Sequence, residues 1–320
     1  MQPLLPPSRR AFIQAPILVL AYNRPEKIKD LIDSLRPHRP ETVIFNIDGP
    51  KSAEKNAGQT TQDFPVLIRQ EISKIDWPCA LEIRAHPKNQ GIRVAIPEAV
   101  TYVLTKFSRV IVLEEDVEVG PQAIEFANQM LQKFDLDSTV GHISLYNIVP
   151  AAVLENQTEP ARLSRYPESV AWATWASRWG KYDDDVPLSD LSRFRVLRGN
   201  VNNVWEALSW LLVFRDVRNQ RISSWAYRWV SSLWSSGMFC ISPNVNLVTY
   251  KGFDEGSHTR FKAPWTELPL GKIDLSEDFQ PNFNLQGDAW LSKRIFGGSI
   301  GAFGLKLISS WILRFLKDRT

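Results

Sequence analysis

The sequence predicts an α/β fold, in which a mixed, mostly parallel sheet is flanked by helices. Short uninterrupted apolar runs, of which residues 16–21 (PILVLA) are the first, are typical of strands that are buried on both faces. Segments with apolar residues at helical spacing alternate with these runs, and such alternation favours a parallel sheet. The chain has 320 residues, 44 % of them hydrophobic and 23 % charged, so it can bury a large core and does not have the composition of a disordered protein.

The regular elements are predicted mainly in the first half of the chain. Apolar runs predict strands at residues 16–21, 42–47, 81–85 and 110–113. Apolar stripes predict helices at residues 25–36, 61–73, 92–107 and 121–134. Pro97 is compatible with the third of these helices only if it falls in the first turn, because proline removes a helical hydrogen bond further in. Residues 150–163 are irregular and polar, as expected of a boundary or a loop.

Charge and cysteine content exclude several classes of protein. A net charge of +3 is too close to balance for a nucleic-acid-binding surface. Two cysteines exclude a disulfide framework and a four-cysteine metal site. No apolar stretch of signal-peptide length precedes the first predicted strand, and no run reaches the roughly 18 apolar residues of a membrane span, so we expect a cytoplasmic protein.

The C-terminal residues 296–320 are predicted to form an amphipathic helix. Leu305, Ile308 and Trp311 lie on its apolar face, and Lys306 and Arg314 lie on the other. Such a helix either packs against the domain or makes a peripheral contact with the inner face of a membrane.

An acidic triplet, Glu114, Glu115 and Asp116, directly follows the fourth predicted strand. Ligands of open parallel sheets bind beyond the carboxyl ends of the strands, which here selects residues 22–24 after the first strand, residues 48–51 after the second, and this triplet. Adjacent carboxylates repel one another and partial burial raises their pKa values, so a divalent cation with oxygen ligands would stabilise them. Because strand side chains alternate, Glu114 and Asp116 should share a face while Glu115 points away. The alternative interpretation is a solvated acidic turn.

A nucleotide diphosphate is a natural partner for such a cation. The sequence has no G-x-G-x-x-G after the first strand and no G-x-x-x-x-G-K-[ST]. Phosphate binding would therefore depend on the cation and on basic groups such as Arg24, Lys51 and Arg93. A second acidic run at residues 183–185 is expected to be solvated, because no apolar strand precedes it.

Several blocks resemble nucleotide-sugar-dependent glycosyltransferases of the GT-A fold. The resemblance is to N-acetylglucosaminyltransferase I and to bacterial hemolysin-activation-like sugar transferases, and it covers residues 16–261. The N-terminal blocks are AYNRP, FNIDGP, NQGIRVAIPEAV and VIVLEEDVEVGPQAIEFANQML. The later blocks are WATW at residues 172–175, WAYRW at residues 225–229, and PNVNLV at residues 243–248 followed by Gly252 and His258.

The resemblance implies a UDP-sugar donor, a glycan or lipid-linked acceptor, and a Mn²⁺ or Mg²⁺ cofactor. Asp116 and His258 would be the metal-binding residues, His258 within a C-terminal loop that closes over the donor. The residues implied to bind the nucleotide sugar are Ala21, Tyr22, Asn23, Arg24, Asp48, Arg93, Glu114 and Glu115. The residues expected to stack on the acceptor are Trp172, Trp175 and Trp225.

The resemblance also implies a division of the chain into four segments. Residues 1–15 would be an N-terminal extension and residues 16–149 the donor-binding half. Residues 150–295 would be the acceptor-binding half of the same domain, followed by the C-terminal helix.

One departure from the family pattern affects the expected chemistry. An inverting transferase needs a carboxylate that takes the proton of the acceptor hydroxyl. The family's W-D-Y-Q-W block offers an aspartate for this role, and Ala226 stands at that position here. Three interpretations follow: an engineered inactive variant, a natural member with lost or altered activity, or an enzyme that uses another carboxylate. Asp254 and Glu255 are the first candidates for a substitute base. A non-catalytic nucleotide-sugar-binding protein is the alternative function.

Overall fold

The computed structural model describes most of the chain. The described residues are 14–51, 55–56, 59–60, 63–154, 159–252, 268–276, 279–294, 301, 303–305 and 307–309.

Four parallel strands form the first half of the main sheet. β1 (Ile17–Ala21) lies between β2 (Thr42–Ile47) and β6 (Arg109–Glu114), and β5 (Ala80–Ala85) forms the outer edge beside β2. The residues of β1 are all buried, as the continuous apolar run predicts. All four strands were predicted within one residue or so of their observed ends. Two short strands, β3 (Lys55–Asn56) and β4 (Gln59–Thr60), pair with each other apart from this sheet.

Helices connect and cover these strands. The four predicted helices are α1 (Pro25–Leu35), α2 (Phe64–Ile72), α3 (Ile92–Lys106) and α4 (Ala123–Lys133). The central strand β6 is contacted by both α3 and α4, and its apolar residues are fully buried. α1 buries Ile28, Leu31, Ile32 and Leu35, which is the apolar stripe expected from the sequence.

Pro97 does not lie where the sequence suggested. α3 begins at Ile92, so Pro97 falls in its second turn rather than its first. Without an N–H, Pro97 cannot donate to the carbonyl four residues earlier, that of Arg93. Burial of Ile96, Ala99, Val100 and Val103 against the sheet stabilises the helix in spite of this lost hydrogen bond.

The second half of the chain extends the same sheet. β10 (Ala171–Trp175) runs antiparallel between β6 and β8 (Val140–Ser144). β11 (Phe239–Pro243) is parallel to β8, and β9 (Ala161–Ser164) closes the other edge in antiparallel orientation. The result is an eight-stranded mixed sheet in the order β5-β2-β1-β6-β10-β8-β11-β9. The sequence suggested that residues 150–163 are irregular, but the last three of them belong to β9.

A small antiparallel ribbon lies beside this sheet. It consists of β7 (Val117–Val119), which directly follows the acidic triplet, and β12 (Val248–Tyr250). The remaining helices are α5 (Ala176–Trp179), α6 (Phe194–Gly199), α7 (Val204–Arg218), α8 (Ala226–Ser235) and α9 (Leu285–Arg294).

The tryptophans that were expected to stack on an acceptor sugar lie in the core. Trp172, Trp175 and Trp225 are 0 %, 1 % and 3 % exposed. Strand β10 places Trp172 between α5 and α8, where its ring stacks on Trp225 at 5.3 Å and contacts Trp179 and Trp229. Stacking on a sugar requires an open ring face, so the burial of these rings opposes the acceptor-binding prediction.

His142 is part of the same aromatic cluster. Its ring stacks on Trp172 at 5.2 Å, and the Trp229 indole N–H donates to its Nδ1 at 3.1 Å. Nδ1 is therefore the acceptor, and the protonated Nε2 donates to the Glu168 carbonyl at 3.0 Å. Complete burial lowers the pKa of His142 from 6.5 to about 3, so the ring is neutral in the folded protein.

The C-terminal helix is described only in part. Leu305 and Ile308 are 70 % and 58 % exposed, while Phe303 contacts the Trp205 ring of α7 at 5.9 Å. Lys306, Trp311 and Arg314 lie outside the described residues. Among the residues that the structure describes, no helix is both long and apolar enough to cross a membrane.

We expect Trp172→Ala to lower the free energy of unfolding by about 3–5 kcal/mol, because it empties the centre of the aromatic cluster. Trp205→Ala, at a position that is 38 % exposed, is the control and should cost clearly less. Urea unfolding of both variants measures the difference. An unchanged stability of the Trp172 variant, together with lost acceptor binding, would contradict the core assignment.

Acidification should destabilise the protein through His142. The unfolded chain protonates this ring below pH 6.5, whereas the folded protein does so only near pH 3, so the contribution is complete above pH 6.5 and declines as the pH falls. His142→Gln removes this titration. The difference in unfolding free energy between the parent and this variant should therefore shrink as the pH is lowered from about 7.5 to about 5. A difference that does not depend on pH would rule out a neutral buried His142.

Candidate functional site

The candidate site lies where the carboxyl ends of β1, β2 and β6 meet. The turn at residues 22–24 follows β1, Asp48 follows β2, and the acidic triplet ends β6. Since β6 is parallel to β1 with Leu20 opposite Glu114, the triplet lies directly beside the turn at residues 22–24. The sequence prediction that these segments share one edge of the sheet is confirmed.

Glu115 anchors the turn that follows β1. Its Oε2 accepts a hydrogen bond from the Tyr22 backbone N–H at 2.7 Å, and the side chain is buried. Burial raises the pKa of Glu115 to about 7, an effect that the neighbouring Asp116 increases and the backbone N–H groups of Tyr22 and Asn23 oppose. Residues 115 and 116 form a turn after β6 ends, so the strand alternation expected from the sequence does not extend to Asp116, and both side chains contact the turn at residues 22–24.

Asp116 forms the ion pair at the centre of the site. Its Oδ2 lies 2.6 Å from Arg24 Nη1, and Asp116 is 6 % exposed. Its other oxygen, Oδ1, is buried and has no hydrogen-bond partner among the described residues. Burial raises the pKa of Asp116, whereas the Arg24 guanidinium lowers it. An unpaired buried carboxylate oxygen is the kind of group that a bound cation or a ligand hydroxyl would satisfy.

Glu114 is the third carboxylate of the triplet. It ends β6 and is half-buried. Its pKa is raised well above the ordinary range, first by burial and then by the charges of Asp116 and Glu115. The three carboxyl groups therefore all favour protonation or a compensating cation, as the sequence predicted for a buried triplet.

Asp48 organises a loop instead of facing the site with a free carboxylate. Its Oδ1 accepts hydrogen bonds from the backbone N–H groups of Gly49 and Gln90, both at 2.8 Å. Its Oδ2 accepts from the Asn89 side chain at 3.0 Å and from the Gly91 N–H at 3.1 Å. Three of these four bonds hold residues 89–91, the entry to α3, against the end of β2.

Arg93 is paired with the second acidic run. Its Nη2 lies 2.6 Å from Asp184 Oδ2, and the other oxygen of Asp184 lies 2.7 Å from Nε of the buried Arg228. Asp184 therefore bridges two arginines, one on α3 and one on α8. Asp184 is 51 % exposed, as expected of a solvated run, and its contact with two arginines is one that no local sequence pattern indicates.

Ala226 begins α8 and packs, half-buried, against the hydrophobic core. It follows Trp225 and precedes Arg228, whose guanidinium also donates to the Ser224 and Val217 carbonyls at 2.7 and 3.0 Å. In this segment Arg228 is thus a structural residue. Asp254, Glu255 and His258 lie outside the described residues.

The side chains at the candidate site are compatible with one type of metal site. No group of three or more His, Cys, Asp or Glu side chains in the described part of the chain converges on one point. Mg²⁺, however, commonly binds through one or two carboxylates and completes its coordination with water and substrate phosphates. Asp116, with its unpaired Oδ1, fits such a site.

No family model matches the chain, and no curated protein matches it. Among solved structures, mouse xyloside xylosyltransferase 1 is similar, with a TM-score of 0.35 and 9 % identity over 69 % of this chain and 81 % of that chain. A cytidylyltransferase from Leptospira borgpetersenii matches with a TM-score of 0.32 and 12 % identity over 53 % of this chain. The bifunctional glycosyltransferase WbbM matches with a TM-score of 0.31 and 10 % identity over 56 % of this chain.

The chain spans 64 % of the cytidylyltransferase and 34 % of WbbM. The solved structures similar to this chain thus include glycosyltransferases and a nucleotidyltransferase. At such TM-scores and identities the likeness carries no argument about function.

Substitution of Gly49 tests how closely the loop held by Asp48 packs against the end of β2. A Cβ at this residue would overlap with the backbone of Lys88, so Gly49→Ala must displace the loop at residues 88–91. We expect the free energy of unfolding to fall by about 1–3 kcal/mol. Gly199→Ala is the matched control, because no atom lies within 4 Å of its added Cβ.

Hydrogen exchange of the amides of Gln90 and Gly91 provides the second measurement. These amides donate to Asp48, so their exchange should accelerate in Gly49→Ala and stay unchanged in Gly199→Ala. Equal behaviour of the two variants would contradict the close approach.

Proposed function

We propose that this protein is a metal-dependent glycosyltransferase that moves a sugar from a UDP-sugar to a glycan or lipid-linked acceptor. The proposal depends on one observation: the buried Asp116 at the end of β6 pairs with Arg24 of the turn after β1 and keeps one oxygen unpaired among the described residues. This arrangement places an anion, a cation and an unfilled acceptor together at the edge of the sheet where ligands bind.

The charges of the site suit a nucleotide diphosphate. Arg24 is 18 % exposed and can reach a phosphate oxygen while it remains beside Asp116. Lys51 lies 5.5 Å from the centre of the Tyr22 ring, so the same rim carries a second cation and an aromatic face. Tyr22 is the group best placed to stack on the uracil, and its backbone position is held by Glu115.

A Mn²⁺ or Mg²⁺ ion would be held by Asp116 and would stabilise the negative charge that develops on the departing diphosphate. Arg24 supports the same charge from the protein side. Glu115 keeps the turn at residues 22–24 in place, and Asp48 does the same for residues 89–91. Glu114 is the carboxylate that would face the donor sugar.

The reaction is proposed to invert the anomeric centre, which requires a base for the acceptor hydroxyl. The methyl group of Ala226 cannot take this role. Asp254 and Glu255 are the proposed substitutes. A catalytically impaired or non-catalytic nucleotide-sugar-binding protein is the second candidate function, and the alanine at position 226 favours it.

Binding of UDP tests the donor site. Isothermal titration of the parent should show UDP binding that requires Mn²⁺, and Asp116→Asn should weaken this binding about tenfold or more, since it removes the charge of the metal ligand. Asp190→Asn is the matched control, because Asp190 is an exposed carboxylate that caps a short 3₁₀ turn. Absence of UDP binding by the parent, with and without Mn²⁺, would refute the proposal.

Restoring a carboxylate at position 226 separates the two candidate functions. We expect Ala226→Asp to release UDP from a panel of UDP-sugars faster than the parent while UDP affinity stays unchanged, because the substitution adds a base without altering the donor site. Ala226→Asn, which has the same shape and cannot accept the proton, is the control. Equal rates for all three proteins would place the base elsewhere if the parent is active. They would favour the binding protein if it is not.

A further inference from the structure

The ribbon of β7 and β12 brings a residue to Asp116 that the sequence motifs do not include. β12 pairs with β7 so that Tyr250 lies opposite Val117, the residue after Asp116. One residue further, the Lys251 N–H donates to the Asp116 carbonyl at 2.8 Å, which fixes the register of the ribbon at the acidic triplet.

Gly252 shows how closely the segment approaches the carboxylate. A Cβ added to Gly252 would overlap with the Tyr250 hydroxyl and with Asp116 Oδ2 at the same time. The phenol oxygen and the carboxylate oxygen therefore pack against the same side of Gly252 and lie close to each other. Arg24 Nη1 contacts the same Oδ2 at 2.6 Å, so the hydroxyl lies beside the ion pair at the centre of the candidate site.

The alternation of the strand supports this orientation. Tyr250 and Gly252 share one face, whereas Lys251 points the other way and lies 3.4 Å from Glu118 of β7. Tyr146, which is buried, contacts the Tyr250 ring at 6.2 Å and a tilt of 57°. Tyr250 itself is half-buried, so its ring is supported from within while part of the side chain is accessible.

We propose that the Tyr250 hydroxyl donates a hydrogen bond to a phosphate oxygen of the bound nucleotide, beside Asp116. This inference rests on the proposed function and adds a donor-binding residue to it. The phenol O–H is a neutral donor that acts next to the Arg24 cation, and the absence of a side chain at Gly252 allows the hydroxyl and the carboxylate to lie close together.

The test compares ligand binding by Tyr250→Phe and by the parent in the presence of Mn²⁺. UDP binding is measured by isothermal titration, and uridine binding is measured by saturation-transfer NMR. We expect UDP to bind about ten- to a hundredfold more weakly to the variant, because a hydrogen bond to a charged group is lost, and uridine to bind equally. Tyr146→Phe is the matched control and should bind both ligands like the parent.

The outcomes separate this inference from the proposed function. A parent that does not bind UDP refutes both. If the parent binds UDP but the Tyr250→Phe variant binds it equally tightly, only the role of Tyr250 is overturned. An equal loss of UDP and uridine binding also overturns it, since the hydroxyl would then not act on phosphate.

Gly252→Ala is a second variant that does not depend on Tyr250→Phe folding. The added methyl group must displace the Tyr250 hydroxyl, Asp116 Oδ2 or both, so UDP affinity should fall while uridine affinity is retained. Gly199→Ala serves as the control. Unchanged UDP binding by a folded Gly252→Ala variant would contradict the proposed contact.

Discussion

The burial of three adjacent carboxylates at the end of one strand is the constraint on which the rest of this structure depends. Burial disfavours the charged form of each group, and the charge of Asp116 also raises the pKa values of Glu114 and Glu115. The fold opposes this cost with partners from another strand end: a backbone N–H of Tyr22 for Glu115 and the Arg24 guanidinium for Asp116. The turn after β1 and the end of β6 therefore stabilise each other.

Carboxylates around the site also link segments that are distant in the chain. Asp48 uses both carboxylate oxygens to hold the entry to α3, and Asp184 joins Arg93 of α3 to Arg228 of α8. Segments around the site are thus positioned by charged side chains from distant parts of the chain. Rigid positioning of this kind favours binding, because less conformational freedom is lost when a ligand arrives.

The aromatic residues serve the core. Trp172, Trp225 and Trp229 pack with His142 beside β10, the strand whose pairing with β6 and β8 joins the two halves of the chain in one sheet. A tryptophan-rich second half is compatible with a sugar-binding surface and with a large core, and composition alone cannot distinguish them. Burial decides in favour of the core for these residues.

The sequence by itself determined the strands and helices of the first half and the position of the acidic triplet. Apolar periodicity, proline positions and the rule for parallel sheets are local or topological signals that a single chain carries. Only the tertiary structure decided that Asp48 faces a loop, that Asp184 bridges two arginines, and that Tyr250 and Gly252 border Asp116. Those contacts join residues far apart in the chain, and their partners depend on strand register and packing, which no local pattern specifies.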